Sequence, residues 1–437
     1  MSPALSPLDG RYASSLDPLR PFFSEEALLR ARVFIEVSYF IMLSKEPKIR
    51  ELPPLSGKQQ KALQQIVDGF GPKDAQAIKK IEEKTKHDVK ALEYYLKEKI
   101  GAVPGLKKYI EFVHFALTSE DTTNLAYGIL IHQALENVLL PSLQDLVSAL
   151  TAMAKQWRDV SLLALTHGQP ATPTTVSKEL MVFVSRLERQ LQLLRAFRMQ
   201  GKFGGAVGTF SAHRAAYPGI DWPAFGKKFV KALGLEPLEY TTQINPHDDL
   251  AELSHLFIRI GNVLLNLSRD LWLYISRGIF RQKMIAGEVG SSTMPHKVNP
   301  IDCENAEGNI GIANALFAHF AEKLPISRLQ RDLSDSTVQR NLGVAFGHHL
   351  LAVQSLKRGL GKLSLDITKI QRELDTHPEV HAEAIQTVLR KHGIEGAYEK
   401  LKEFTRGERV TKEQLRSFIE KLKLPEKEKS RLLTIVR

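Results

Sequence analysis

The stretch that decides the fold is Asn245–Tyr274, NPHDDLAELSHLFIRIGNVLLNLSRDLWLY, in a chain of 437 residues. Its apolar side chains recur at steps of three and four residues, at Leu250, Leu253, Phe257, Ile260, Leu264, Leu267, Leu271 and Tyr274. This spacing keeps them on one side of an α-helix. A proline and acidic residues precede the pattern, and both suit the first turn of a helix. The segment therefore predicts one long helix of about thirty residues, spanning about 45 Å.

Other segments carry the same periodicity, so this helix has long neighbours. The apolar positions are Leu125, Ile129, Leu135, Leu139, Leu143, Leu146 and Leu150 in one segment and Leu180, Phe183, Leu187, Leu191 and Leu194 in another, and more repeats follow Glu304 and Asn341. Broad apolar stripes with little two-residue alternation predict an all-α fold with a long central helical bundle. Because the stripes leave apolar faces for partner subunits, we expect a homo-oligomer.

Two segments are plausible linkers between domains. One lies at 99–105 and contains glycine and proline, and the other lies at 360–366 and contains glycine and polar residues. They predict three domains. The first is an N-terminal helical domain at 1–107, the second is the central long-helix bundle at 108–360, and the third is a C-terminal helical domain at 361–437.

Composition excludes several classes of protein. The single cysteine, Cys303, rules out an intrachain disulfide and a multi-thiolate zinc site, and we expect it to be a small buried filler. The net charge of +11 is spread out, with Lys and Arg alternating with Glu through 45–110 and 390–437, as on solvated helix faces. Nucleic-acid binding therefore has only a weak basis. No apolar run has the length of a membrane span, and the first residues do not read as a signal peptide, so we expect a cytoplasmic protein.

One stretch, Gly287–Asn305, breaks the helical pattern and reads as a loop that leads into a helix. Glycines and serines at its start permit movement, whereas Pro295 and Pro300 stiffen the part that carries Lys297 and Asn299. A mobile lid with fixed donors has this composition. The alternative is a polar turn between helices.

Four further segments combine chemically useful side chains. Leu165–Pro173 reads as a loop that holds His167 among hydroxyl and amide groups, a setting that suits a general acid or base. Thr85–Val89 and His114–Asp121 each pair a histidine with carboxylates or hydroxyls. Arg328–Arg340 combines guanidinium and hydroxyl groups that suit phosphate or carboxylate capture, and its alternative is a charged helix face.

Several known motifs are missing from the sequence. It contains no His-Glu-x-x-His zinc helix, no Gly-x-Ser-x-Gly elbow and no Walker-type loop. The glycine cluster Gly201–Gly208 predicts a close backbone approach between helices rather than a nucleotide loop. His348 and His349 are neighbours on a predicted helix, so they point in different directions and make a poor metal pair.

Residues 290–300 resemble the Gly-Ser-Ser-x-Met-Pro-x-Lys-x-Asn-Pro loop of the fumarase, aspartase and argininosuccinate lyase superfamily. His296 in its variable position is similar to the adenylosuccinate lyase and cycloisomerase branches. Ser6–Tyr12, the Thr-x-His-Asp-Val segment at 85–89 and the spacing of Arg331, Ser336 and Arg340 resemble the bacterial adenylosuccinate lyase family. The resemblance runs from about residue 6 to the end, and Lys86 departs from it, since that family often has Asn there.

The resemblance implies three-domain, all-α subunits whose central bundles form a homotetramer core. It implies a carbon–nitrogen lyase of the amidine-lyase kind in de novo purine biosynthesis, without metal or cofactor. Its substrates would be adenylosuccinate, giving AMP, and SAICAR, giving AICAR, and both would release fumarate by anti β-elimination. Ser291 would be the general base and His167 the general acid, with Glu304 near that histidine and His87 close to the substrate phosphate.

Binding roles also follow from the resemblance. The phosphate would be bound by Arg11, Tyr12, Ser336 and Arg340, and the succinyl carboxylates by Thr118, Ser119, Lys297 and Asn299. The pocket would be completed by Lys86, His87, Asp88, Gln243, Asn305, Arg331, Thr337, Val338 and Gln339. In this superfamily three chains of the tetramer build each active site.

Four alternatives remain at this point: a muconate-type cycloisomerase, an argininosuccinate lyase, a catalytically silent helical scaffold and a basic nucleic-acid binder. The Arg11–Tyr12 element argues against the first two. Intact Ser291, His167, Lys297 and Glu304 argue against a silent scaffold.

Overall fold

A computed structural model describes residues 4–284, 294, 297–405 and 410–436. Helices dominate this part of the chain. The α-helices are α1 (Ala13–Leu16), α2 (Arg20–Phe23), α3 (Glu25–Leu43), α4 (Gly57–Asp68), α5 (Pro72–Thr85), α6 (Asp88–Gly101), α7 (Ser119–Ala134), α8 (Leu140–Gln156), α9 (Val176–Ala196), α10 (Ser211–Ala216), α11 (Trp222–Ala232), α12 (Asp248–Ser276), α13 (Ile301–Lys323), α14 (Ser334–Gln339), α15 (Leu342–Gly361), α16 (Ile367–Asp375), α17 (Ala382–Lys391), α18 (Ala397–Thr405), α19 (Lys412–Lys421) and α20 (Glu426–Ile435). Short 3-10 helices lie at Asp17–Leu19, Lys107–Phe112 and Pro378–His381.

Six short strands form three two-stranded sheets in the described residues. The strands are β1 (Ser161–Thr166), β2 (Gln169–Thr175), β3 (Gln200–Gly201), β4 (Glu236–Pro237), β5 (Phe280–Gln282) and β6 (Leu363–Leu365). β1 pairs with β2 and β5 with β6 in antiparallel fashion, whereas β3 and β4 are parallel.

The long helices confirm the all-α class. α12 has 29 residues and begins at Asp248, directly after the predicted N-terminal signal. The second predicted rod corresponds to α7 and α8, joined by a π-helical turn at Leu135–Leu139, and the third corresponds to α9. The apolar repeats after Glu304 and Asn341 lie in α13 and α15.

The chain divides into two compact units. The first consists of Met1–Gln144, Arg189–Leu265 and Asn305–Gln354, and the second of Asp145–Glu188, Asn266–Glu304 and Ser355–Arg437. The three-domain division at residues 107 and 360 stays a prediction.

Aromatic rings hold four helices of the first unit together. Phe257 of α12 lies 5.2 Å from Phe317 of α13 and 5.0 Å from Phe346 of α15, between ring centroids. Phe23 of α2 stacks on Phe346 at 5.2 Å. A Cβ on Gly343 would lie 2.6 Å from the Cβ of Phe23, so only glycine permits this approach of α2 to α15. Each buried ring contributes about 2–3 kcal/mol through its removal from water.

The glycine-rich segment 201–208 is a close backbone approach, as predicted. A Cβ on Gly201 would lie 2.6 Å from Leu125 of α7 and 2.8 Å from Val230 of α11. Asp121 of α7 ties the segment down, because it accepts the Gly204 amide at 2.9 Å and the Lys202 ammonium at 2.7 Å. The segment begins in the two-residue strand β3, whereas the sequence predicted that it follows a helix and not a strand.

In the second unit, the predicted loop at Leu165–Pro173 is an antiparallel hairpin, so the loop prediction was wrong. His167 and Gly168 have φ values of 52° and 73° and form the two-residue turn between β1 and β2. The usual signal of alternating apolar residues is missing because Leu162 and Leu163 are consecutive and both only 2% exposed.

The predicted linkers contain more regular structure than expected. Lys99 to Gly101 belong to α6, and Leu363–Leu365 pairs with Phe280–Gln282. The helices at the C-terminus have a small apolar core of their own, formed by residues such as Ile385, Leu415 and Leu432. No helix in the described ranges is long and apolar enough to cross a membrane.

Candidate active site

The segment between α5 and α6 presents a histidine to solvent. Lys86 ends α5 in the left-handed conformation, with φ 53°. His87 is the N-cap of α6, where its Nδ1 accepts the Lys90 amide at 3.2 Å. Because Nδ1 accepts, the proton of the neutral ring lies on Nε2. The His87 side chain is 56% exposed, so it can donate to an anionic group from solvent.

Asp88, the next predicted residue, is held by a buried arginine. Arg32 of α3 donates from Nη1 to Asp88 Oδ2 at 2.9 Å, and its side chain is 6% exposed. Burial opposes the charged form of Asp88, but the Arg32 guanidinium and the Val89 amide together outweigh burial and hold the pKa of Asp88 below its usual value. Asp88 and Arg32 line a cavity of about 210 Å³ together with the predicted residues Gln339 and Arg340. The fold of the first unit thus brings two distant predicted segments together.

A second cluster in the first unit is centred on Arg331. Its Nη1 lies 3.4 Å from Ser119 Oγ and 3.3 Å from Gln243 Oε1, and its Nη2 lies 3.1 Å from Glu120 Oε1. Gln243 is itself oriented, because its amide donates to the carbonyl of Ala206 at 3.0 Å. Three predicted residues, Arg331, Ser119 and Gln243, are therefore in contact.

Thr118 and Ser119 begin α7. The Thr118 amide donates to Asp121 Oδ2 at 2.9 Å, which fixes the first turn of the helix. His114, in the same predicted segment, has φ 57° and lies 2.5 Å from Glu36 Oε1 through its Nδ1. Burial opposes protonation of His114, but the carboxylates of Glu36, Glu93 and Asp121 together outweigh burial and raise the pKa of His114. His114 therefore anchors the chain ahead of α7.

Tyr12 and Asn305 are joined by a hydrogen bond. Asn305 Nδ2 donates to the Tyr12 hydroxyl at 3.1 Å, and the Arg11 guanidinium lies 5.9 Å from the Tyr12 ring centroid. Asn309 donates to the Asn305 carbonyl at 2.8 Å, and Asn309 Oδ1 lies 2.8 Å from His348 Nδ1. Since the oxygen of Asn309 can only accept, His348 donates from Nδ1. A partly buried chain of hydrogen bonds thus supports the predicted Tyr12.

The helix α14 carries the predicted residues Ser336, Thr337, Val338 and Gln339, and Arg340 follows it. Gln339 and Asp335 are buried, and both face His247, at 3.1 Å and 3.8 Å from its Nε2. Thr337 and Arg340 are exposed. The helix therefore has an anchored side and a side open to a ligand.

The predicted catalytic residues of the second unit are exposed. His167 lies at the hairpin turn and has no hydrogen bond to any described residue. Glu304, in the first turn of α13, accepts the indole N–H of Trp272 at 3.1 Å, and no ion pair joins it to His167. Lys297 is exposed and Asn299 half-buried, and both precede α13. Ser291 and His296 lie outside the described residues.

Four residues that touch predicted ones escaped sequence reasoning: Arg32, Glu120, Trp272 and Asn309. Arg32 had a usable signal, since a charged residue among the apolar residues of α3 can indicate a paired buried group. Glu120 directly follows the Thr118–Ser119 pair, but its partner is 211 residues away.

Cys303 is 4% exposed, as expected for a filler, and burial raises its pKa to about 12. No group of three or more metal-ligating side chains occurs in the described part of the chain.

Two family models match the chain. Residues 10–313 match a family described as "Lyase", and residues 327–437 match one described as "Adenylosuccinate lyase C-terminal". Among solved structures, a fumarate lyase from Mesorhizobium sp. BNC1 is similar in fold, with a TM-score of 0.76, 18% identity and coverage of 96% of this chain and 94% of that chain.

Relatives of known name match over almost the whole chain. An adenylosuccinate lyase of Legionella pneumophila (strain Corby) is 50% identical over 432 residues, which are 99% of this chain and 95% of the relative. An adenylosuccinate lyase of Escherichia coli (strain K12) is 50% identical over 429 residues, which are 98% of this chain and 94% of the relative. The chain therefore belongs to the adenylosuccinate lyase family of carbon–nitrogen lyases, within the fumarate lyase superfamily.

Proposed function

We propose that this protein eliminates fumarate from adenylosuccinate to give AMP, and from SAICAR to give AICAR, in purine biosynthesis. The observation that carries the proposal is the 50% identity over 99% of the chain to an adenylosuccinate lyase. The contacts that join Arg331 to Ser119 and Gln243, and Tyr12 to Asn305, support it, because they gather predicted binding residues from distant segments.

In the proposed reaction, Ser291 removes a proton from the succinyl carbon next to a carboxylate. The electron pair forms the carbon–carbon double bond of fumarate, the carbon–nitrogen bond breaks, and the departing nitrogen takes a proton from His167. A serine hydroxyl is a poor base at neutral pH, so its activation requires a water-free pocket rich in donors, and Lys297 is the cation nearest in sequence. Glu304 would orient His167.

The substrate's negative charges explain part of the chain's excess of cations. We assign the phosphate to Arg11, Tyr12, Ser336 and Arg340, with His87 close to it. The exposed position of Arg11 and Arg340 supports this assignment. The succinyl carboxylates fall to Thr118, Ser119, Lys297 and Asn299.

We further propose that the active enzyme is a homotetramer in which several chains complete each site. The exposure of His167 supports this, because a general acid needs surroundings that a single chain does not supply. Large apolar side chains on the long helices are also exposed and would be covered in a tetramer. They are Met181, Val182, Leu193, Trp272, Leu273 and Ile312.

The first experiment is an assay of the purified protein with adenylosuccinate that follows fumarate and AMP, with argininosuccinate and malate as controls. Turnover of adenylosuccinate alone is the expected result. A folded oligomer that turns over none of the three would overturn the proposal. The Ser291→Ala and His167→Ala variants should each lose at least about 100-fold in kcat while they keep the fold and the oligomer. Near-normal kcat in either variant removes that residue from its assigned role.

A further inference from the structure

Arg331 is held by three side chains, and one of them has no assigned role. Ser119 and Gln243 are neutral acceptors at 3.4 Å and 3.3 Å, both at Nη1. Glu120 is the charged acceptor, at 3.1 Å from Nη2. All three hydrogen bonds have the charged guanidinium as donor, but only the one to Glu120 also has a charged acceptor. This ion pair is therefore the strongest of the three contacts and contributes most to fixing the plane of the guanidinium.

The burial of Glu120 limits what it can do. Its side chain is 4% exposed, against 17% for Arg331, so Glu120 lies beneath the arginine. Burial raises the pKa of Glu120, and the positive charge of Arg331 opposes that rise. Its other oxygen, Oε2, is buried without a hydrogen-bond partner among the described residues. Such a carboxylate is costly to bury, and within the described part of the chain its ion pair is with Arg331.

The neighbouring acid shows what a structural role in this helix turn involves. Asp121 accepts from the Lys202 ammonium and from the amides of Gly204 and Gly205, and it also caps α7 at Thr118. The fold thus assigns the scaffold contacts to Asp121. The side chain of Glu120 instead contacts Arg331, a predicted substrate-binding residue.

We propose that Glu120 is a positioning residue that orients the Arg331 guanidinium for substrate binding. This inference rests on the proposed function and on the role of Arg331 in it. Glu120 acts on the substrate only through the orientation of Arg331, because its own negative charge near an anionic substrate lowers affinity. The conservative variant Glu120→Gln keeps an acceptor at the same place, whereas Glu120→Ala leaves Arg331 without its strongest contact.

The test measures kcat and KM for adenylosuccinate in Glu120→Ala, Glu120→Gln, Arg331→Ala and the Glu120→Ala/Arg331→Ala double variant. Glu120→Ala should raise KM about tenfold to 100-fold, the range for loss of a hydrogen bond to a charged group, with kcat changed less than about threefold. Glu120→Gln should keep KM within about threefold of the unaltered enzyme. In the Arg331→Ala background, Glu120→Ala should change KM no further, because the two residues act as one unit.

Glu428 offers a matched control. Its side chain is 15% exposed, its Oε1 lies 2.6 Å from Lys391, and its Oε2 is likewise buried without a partner in the described structure. Glu428→Ala should leave KM unchanged. The proposal is overturned if Glu120→Ala changes KM no more than Glu428→Ala does, or if its effect keeps full size without Arg331. If Glu120→Ala does not fold, a Glu120→Gln enzyme with KM raised as much as in Arg331→Ala contradicts the orientation argument. Absent turnover in the unaltered enzyme is a failure of the proposed function instead.

Discussion

The indole N–H of Trp272 donates to Glu304 Oε1 across 3.1 Å, from α12 to the first turn of α13. This leaves the second carboxylate oxygen of Glu304 for another donor. An imidazole N–H is a suitable donor for it, and in the proposed mechanism that donor is His167. Trp272 would then fix the direction in which Glu304 presents its free oxygen.

Trp272→Phe removes the donor and keeps an aromatic ring. We expect kcat for adenylosuccinate to fall about tenfold, because one hydrogen bond to a charged group is lost, while KM changes less than about threefold. Steady-state kinetics on the purified enzyme measure both constants.

Trp157→Phe is the matched control, because Trp157 packs on Phe280 at 5.6 Å in the same unit. It should leave kcat unchanged. If Trp272→Phe lowers kcat as much in a Glu304→Ala background as alone, the two residues are not coupled and the argument fails.

Lys86 should trade stability for affinity. A non-glycine residue at φ 53° is strained, and asparagine tolerates this conformation better. Lys86→Asn should therefore raise the free energy of unfolding by about 0.5 kcal/mol, and the Tm should rise slightly with it. The same change removes a positive charge from the proposed site, so KM should rise about threefold at low salt and less at high salt.

Thermal scans and kinetics at two salt concentrations measure these effects. Lys84→Asn is the control, because Lys84 lies in the last turn of α5 with ordinary helical geometry. Asparagine there should lower the Tm. A Lys86→Asn enzyme with a lower Tm, or with KM unchanged at low salt, would contradict this account.

The sequence predicted those parts of the fold that one local period specifies. α12 is an example, because its apolar positions face one side over 29 residues. The hairpin at His167 escaped, since Leu162 and Leu163 are both buried and break the alternation that marks a strand. Gly168 favours the turn, because it adopts φ 73°. A glycine alone is a weak sequence signal for a hairpin when the residues around it include prolines.

The predictable part of the candidate site was likewise the part that short local patterns specify. Residues that carry chemistry, such as Arg331 and Tyr12, were found through short motifs. Their supports were not, because Glu120 is 211 residues from Arg331 and His348 acts on Asn305 through Asn309. Such contacts depend on how helices from distant parts of the chain pack together, and no local sequence pattern predicts that packing.

Gly208 should tolerate no side chain. Its φ is 74°, and a Cβ there would overlap the carbonyl oxygen of Thr241 and lie 2.8 Å from its Oγ1. Gly208→Ala should cost a few kcal/mol, about the size of other strained backbone substitutions. Because Gln243 lies two residues after Thr241, KM should rise as well. Gly219→Ala is the control, with no heavy atom within 4 Å and no positive φ, and equal Tm values for the two variants would refute the prediction.

His349 should make the protein sensitive to acid. It is 1% exposed and packs on Phe257 at 4.9 Å, and burial lowers its pKa to about 4. The unfolded chain has the usual histidine pKa of about 6.5, so it binds a proton more readily than the folded protein. The contribution to stability is therefore complete above pH 6.5 and is lost as the pH falls toward 4, at up to about 1.4 kcal/mol per pH unit. His349→Gln should flatten the fall of Tm between pH 7 and pH 5, whereas His255→Gln, on the exposed side of α12, should leave it as it is. Parallel Tm profiles for His349→Gln and the unaltered protein would show that His349 does not titrate in this window.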